Sequence, residues 1–152
     1  MYEMVLALHS LLRWLVVLVG VWAVVAAFSA ARRREWTPSD ARPGFLFVLG
    51  LDLQIVIGLA LFLFLSPITR AALQDVGGAM QNAASRFWLV EHPALMIVAA
   101  VLAHVGRGAA RKAGSYRAAG RARLWYLLAL LAVLIAAPWP FTGQARPWFR
   151  LF

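Results

Sequence analysis

Four long apolar stretches, separated by short arginine-rich connectors, most constrain what this chain can fold into. A helix of about 20 apolar residues crosses a hydrocarbon core of about 30 Å, so each stretch is expected to be a membrane span. The expected fold class is all-α, an integral membrane four-helix bundle forming one transmembrane domain over residues 1–152. Its spans are placed at about 4–31, 45–65, 87–105 and 122–139. Composition agrees: 63% of the residues are apolar, 14% are charged and the mean hydropathy is +0.76. A soluble protein is about half apolar and a quarter charged.

The first span closes on Arg32, Arg33 and Arg34, and Trp36 to Asp40 read as a polar turn. Pro43 and Gly44 precede the second span, which Ser66 and Pro67 end. Residues 66–86 read as a loop holding a short interfacial helix. The third span ends at Gly106, before a basic linker. The fourth looks short by itself and reaches across only if Arg123 snorkels and Trp139 is included. The start, MYEMVLALHSLLRW, has neither the basic region nor the cleavage site of a signal peptide, so the first helix is expected to be retained.

Net charge is +9, but the basic residues sit in connectors rather than on an amphipathic stripe, which argues against nucleic acid. The connectors 32–42 and 106–123 hold ten Lys or Arg, against four in segments 66–86 and 138–152. Positive charge marks the cytoplasmic side, so both termini should be periplasmic, in a bacterial cytoplasmic (inner) membrane. Fourteen Arg against one Lys fits a GC-rich bacterial genome. With no cysteine, disulfides, thiolate metal sites and cysteine nucleophiles are excluded.

Ionisable residues inside spans cost roughly 2.5 to 3.5 kcal/mol each at mid-helix, so each one needs a reason. The first span carries His9 and Arg13, the second Asp52 and the polar Gln54, the third Glu91, His92 and His104, and the fourth none. At a rise of about 1.5 Å per residue, His9 and His92 lie at nearly equal depth from the periplasmic end. His104 is about 18 Å deeper than His92 and some 120° around the helix, too far to join that pair. Two imidazoles from different helices at one depth are what a low-spin b-type haem requires, His9 and His92 being the axial ligands of its iron. Arg13, Arg86, Arg146 and Arg150 are the candidates for propionate contacts. Trp14, Trp88, Trp139, Phe141, Trp148 and Phe149 are available to pack the ring.

Each feature also has a plainer reading. The two histidines would sit in the interfacial zone and bond to Glu91 or water, and the aromatics at span ends would be interfacial anchors. A zinc or copper site lacks a third ligand, because adjacent Glu91 and His92 point about 100° apart. Arg13 and Asp52 are expected to form a structural ion pair joining the first two helices; the sharper alternative is a proton relay or a quinone site. Pro93 either kinks the third span or marks a helix start near Glu91. Gly50, Gln54 and Gly58 recur every four residues as a close-packing face with one interhelical hydrogen bond.

The segments HSLLRW (9–14), VEHPALM (90–96), PWPF (138–141) and RPWFR (146–150) together resemble a family of small four-span bacterial membrane proteins often labelled cytochrome b-like. The likeness covers nearly the whole chain in order and spacing, and it implies haem. Many relatives carry a histidine in the second span just before a Leu-Gln-like element and a glycine. This chain has Asp52, Leu53, Gln54 and Gly58 there, which leaves His9 and His92 as the family-like pair.

The expected function is a membrane-embedded electron-transfer protein, or a subunit of a redox complex, holding one haem b between the first and third spans. Quinone or a larger respiratory or photosynthetic assembly would be its redox partner. Such a carrier needs no nucleophile or general base, and no catalytic residue is assigned. The rival class is a haem-free accessory subunit whose aromatic tail packs on a larger membrane complex or on copies of itself in a homo-oligomer. A transporter or proton channel using Arg13, Asp52 and Glu91 has little room for alternating access in four short spans.

Overall fold

A computed structural model describes residues 1–112, 116–144 and 146–148, and every regular element among them is helical. Helix α1 covers Tyr2–Arg33 and stops where Arg34 turns left-handed, at φ 57°. Four residues later the chain is helical again, because Pro38 is pre-set for a first helical position. The Asp40 carboxylate accepts from the Thr37 backbone N–H (2.9 Å), the Thr37 hydroxyl (2.7 Å) and the Arg33 guanidinium (2.8 Å). These bonds tie the end of α1 to the start of α2 (Pro38–Ala60). The turn is therefore shorter than the expected 36–40, and Pro43 and Gly44 lie inside α2 rather than ahead of it.

Helix α2 runs into a π-helical turn, Leu61–Leu65, closed by the Ser66 N–H on the Leu61 carbonyl at 2.8 Å. Ser66 and Pro67 end it, as expected. Residues 67–86 then form three short helices: α3 (Pro67–Gln74), α4 (Val76–Gln81) and α5 (Ala83–Arg86). Ser66, Asp75 and Asn82 cap them with side-chain oxygens. A second π turn, Phe87–Glu91, joins α5 to α6 (His92–Lys112) without a break. Pro93 has no N–H to donate four residues back, and the wider turn absorbs that loss. Pro93 thus lies in the first turn of α6, close to the expected start near Glu91, and the π turn continues the helix back into α5.

Gly106 does not end α6. A Cβ there would lie 2.9 Å from Tyr126 Cε1 and 3.0 Å from Trp125 Cβ, so the glycine lets α7 (Tyr116–Ala136) approach closely. Helix α7 has 21 residues, longer than its apolar run implies, because it begins within the basic linker.

The four long helices form a ring in which the main contacts are α1 with α2 and α7, and α6 with α2 and α7. Helices α1 and α6 are thus diagonal partners. Toward the arginine-rich end the core is built from alanines, among them Ala23, Ala27, Ala99, Ala103, Ala122 and Ala129, around Phe47 and Tyr126. The two aromatic rings meet edge to face at 6.4 Å. Outward faces are apolar: Leu18, Val25, Val56 and Ile135 are each more than half exposed. Three helices, Tyr2–Arg33, Pro38–Leu65 and Ala83–Arg111, are long and apolar enough to cross a membrane. A lipid environment suits such faces, whereas water does not.

Candidate functional site

His9 and His92 meet across the diagonal of the ring, near the end that carries both the start of α1 and the end of α7. Their ring centroids are 6.3 Å apart and their planes cross at 72°. The His92 Nδ1 lies 2.8 Å from the Ala136 carbonyl oxygen. A carbonyl only accepts, so Nδ1 carries the proton and Nε2 keeps its lone pair. Metal-binding histidines are commonly oriented in this way. Phe87 and Trp88 flank the His92 ring, at 5.8 and 5.6 Å between centroids.

On the other side, the close-packing face of α2 shapes the His9 position. Gly50 lies against Val16, where a Cβ would come within 3.2 Å of a methyl group. The Gln54 amide donates to the His9 carbonyl at 3.0 Å. Gly58 lies under the imidazole, where a Cβ would be 3.2 Å from His9 Cε1. His9 Nδ1 and Gln54 Oε1 are buried and have no hydrogen-bonding partner among the described residues. Buried polar atoms are rarely left in that state, so these two mark the site as built for something other than stability.

Two cavities flank the histidine pair. The smaller, about 70 Å³, reaches Arg13, Val133 and Pro138; the larger, about 110 Å³, reaches Gly58, Phe62 and Pro93. Both share Leu6, His9, Trp88, His92, Met96 and Arg146 as walls. Among the described residues no carboxylate lines either cavity, yet two guanidinium groups do. Arg13 is buried, donates to the Trp148 carbonyl at 3.0 Å and lies 5.6 Å from the centroids of Trp14 and Trp139, while its Nε finds no acceptor. Arg146 lies over the Trp88 ring at 5.1 Å. The segment after α7 forms the cover: Trp14, Trp139, Phe141 and Trp148 cluster with centroids 5.7 to 6.3 Å apart.

Several expectations need correction. Arg13 does not pair with Asp52. The Asp52 carboxylate instead accepts from His104 Nε2 at 3.0 Å, across the α2–α6 boundary. Residues 52 and 54 differ by about 200° around their helix, so with Gln54 turned toward α1 the aspartate faces away from it. His104 does stay clear of the His9–His92 pair, as depth required. Arg86 is held by Glu91 at 2.8 Å and lines neither cavity, so it is not a site residue in this arrangement. Arg150 and Phe149 lie outside the described residues.

The sequence reading missed the Asp52–His104 pair, the Ala136 carbonyl and the Leu6 and Met96 walls. No matching depth signalled the first: counted from the arginine-rich end, Asp52 lies 14 residues inside α2 and His104 eight residues inside α6. Among the described residues no group of three or more His, Cys, Asp or Glu side chains is placed to hold a metal ion, so any metal here is a matter for the two histidines. Comparison with family models, with curated proteins and with solved structures returns no match, and the site is argued from its geometry alone.

Proposed function

We propose that this chain crosses a bacterial cytoplasmic membrane four times, with both ends periplasmic, and that His9 and His92 hold one b-type haem for electron transfer. Three observations support the reading. With metal–nitrogen bonds of about 2 Å and ring radii of about 1 Å, two imidazoles on opposite sides of one metal have centroids about 6 Å apart. The observed 6.3 Å matches this spacing. Edge-to-face ring packing also falls in that range, so the distance needs the second observation beside it.

That second observation is charge. Two guanidinium groups, Arg13 and Arg146, stand at the cavity walls with no carboxylate among the lining residues. An unpaired buried cation is costly in a low-dielectric interior, and a dianionic ligand with two propionates offsets it. Arg13 and Arg146 are therefore the residues assigned to the propionates. The third observation is the diagonal placement of α1 and α6, which sets the two imidazoles facing each other from opposite sides of the ring of helices.

Room is the demanding part of the fit. The cavities are of the order that accepts a small aromatic ring. A macrocycle enters only as the Leu6 and Met96 side chains give way, which methionine's flexible thioether makes inexpensive. When bound, haem supplies a one-electron iron couple. The protein's part is to orient His92 through Ala136, to seat His9 against Gly58, and to screen the site from water with the Trp14–Trp139–Trp148 cluster. This reading agrees with the cytochrome b-like resemblance of the motifs.

The deciding experiment is a reduced-minus-oxidised spectrum of the protein purified in detergent. We expect a haem α band that disappears in both His9→Ala and His92→Ala, with the variants still folded by circular dichroism. Colourless wild-type protein after haem supplementation would end the proposal. The accessory-subunit reading is favoured by one observation, the strong exposure of Phe141 (76%) beside Trp148. Colourless protein that co-purifies with large redox subunits would select it.

A further inference from the structure

The larger cavity beside the histidines does not end inside the bundle. Its α2 wall, Ile55 and Leu59, and its α6 wall, Pro93 and Ile97, run to the outer surface of the ring, where Leu59 and Ile97 are 46% and 54% exposed. On a membrane-spanning bundle that surface faces hydrocarbon. A molecule dissolved in the bilayer therefore reaches the cavity between α2 and α6 without passing through water.

Gln54 stands in the same cavity and is itself only 4% exposed. Its amide nitrogen donates to the His9 carbonyl at 3.0 Å. A carbonyl only accepts, so the amide cannot be turned the other way round, and Oε1 is the atom left buried with no partner among the described residues. An amide oxygen only accepts, so what it lacks is a donor. In a low-dielectric interior such an atom is costly until a donor reaches it.

The walls limit what can bring that donor. Arg146 lines the cavity, which disfavours an ammonium group and leaves a neutral hydroxyl. Phe62, Trp88 and Met96 offer aromatic and thioether surfaces suited to a flat ring. At about 110 Å³ the cavity is of the order that takes one six-membered ring. A mouth bordered by Leu59 and Ile97 passes an apolar chain.

We propose that the larger cavity binds a phenol-type molecule drawn from the bilayer, its hydroxyl donating to Gln54 Oε1 and its apolar chain leaving between Leu59 and Ile97. The ring lies toward α2 and α6, beside the imidazole pair, since Ile55, Leu59, Phe62 and Ile97 line this cavity and not the smaller one. The site needs no iron. It rests on the membrane-spanning part of the proposed function and names the class of lipid-soluble molecule that comes next to the histidines.

Para-propylphenol and its methyl ether share a ring and a chain and differ in the hydroxyl proton, so the pair isolates the bond to Gln54. Calorimetric titration of the protein in detergent should show the phenol bound about tenfold or more tightly than the ether, which leaves Oε1 unpaired. In Gln54→Leu the ratio should fall to about one. Equal affinities in the unsubstituted protein, the result that partition into detergent also gives, would overturn the proposal, as would binding of neither compound. The chain has no cysteine, so a bulky maleimide can be set at Ile97→Cys, on the mouth, or at Leu15→Cys, on the exposed side of α1. The first label should weaken phenol binding at least tenfold and the second leave it unchanged; equal effects would overturn entry between α2 and α6. Retention of the chain in carbonate-washed membranes scores the membrane reading on its own. Haem is scored by colour: colourless protein that binds the phenol supports this site and counts against haem, and coloured protein that binds no phenol does the reverse.

Discussion

The two ends of the bundle are packed on opposite principles. At the arginine-rich end, alanines and glycines bring the helices together, and Tyr126 and Phe47 fill what space remains, both almost fully buried. At the other end, imidazole, indole and guanidinium groups line two cavities that flank the histidines, and three of the four buried polar atoms without partners among the described residues, His9 Nδ1, Arg13 Nε and Gln54 Oε1, lie there. The first arrangement serves stability. The second sacrifices it, as ligand sites commonly do. The difference shows how one set of continuous helices can be a rigid clamp at one end and a receptor at the other.

Substitutions sharpen the contrast by separating stability from ligand retention. The largest loss of stability is expected for Tyr126→Ala, which opens a cavity in the alanine-lined core and should cost about 3–5 kcal/mol. Thermal unfolding in a fixed detergent measures it, and a change below about 1 kcal/mol would deny that this end is the clamp. Gly44→Val should follow, at about 1–3 kcal/mol, because a Cβ there would lie 2.6 Å from Tyr126 Cζ. Gln54→Leu removes one hydrogen bond to the His9 carbonyl together with a buried unpaired oxygen, so a cost of about 1 kcal/mol or less is expected.

Arg13→Met should act differently. It removes a buried cation with no carboxylate partner among the described residues, a gain that offsets the lost hydrogen bond to the Trp148 carbonyl, so the ligand-free protein should unfold at about the same temperature. Haem retention, read from the absorbance ratio of the purified variant, should fall. A variant less stable without ligand yet undiminished in haem would reverse the roles assigned to the two ends.

Much of this was legible in the chain itself. The apolar stretches set the helices, and their charged flanks set where they stop, to within a few residues except at the starts of α2 and α7 and the end of α6. Pro43 looked like a boundary but is taken into α2, since Pro38 and the Asp40 bonds had already begun the helix. Gly106 looked like a terminus but is a contact, since the signal for helix end and the signal for close approach are the same residue. In the candidate site, the equal depth of His9 and His92 followed from counting residues. The hydrogen bond from His92 to Ala136 did not, because a backbone carbonyl carries no sequence signature.

What the sequence alone determined is whatever adds up along the chain: helix content, apolar length, the clustering of positive charge and the depth of each polar group. Those quantities depend on one helix at a time. Tertiary structure decided what depends on two, namely which helices are neighbours and which way each face turns. That is why Arg13 and Asp52, close in depth, remain apart, while Asp52 finds His104 and two histidines on diagonal helices come within 6.3 Å of each other.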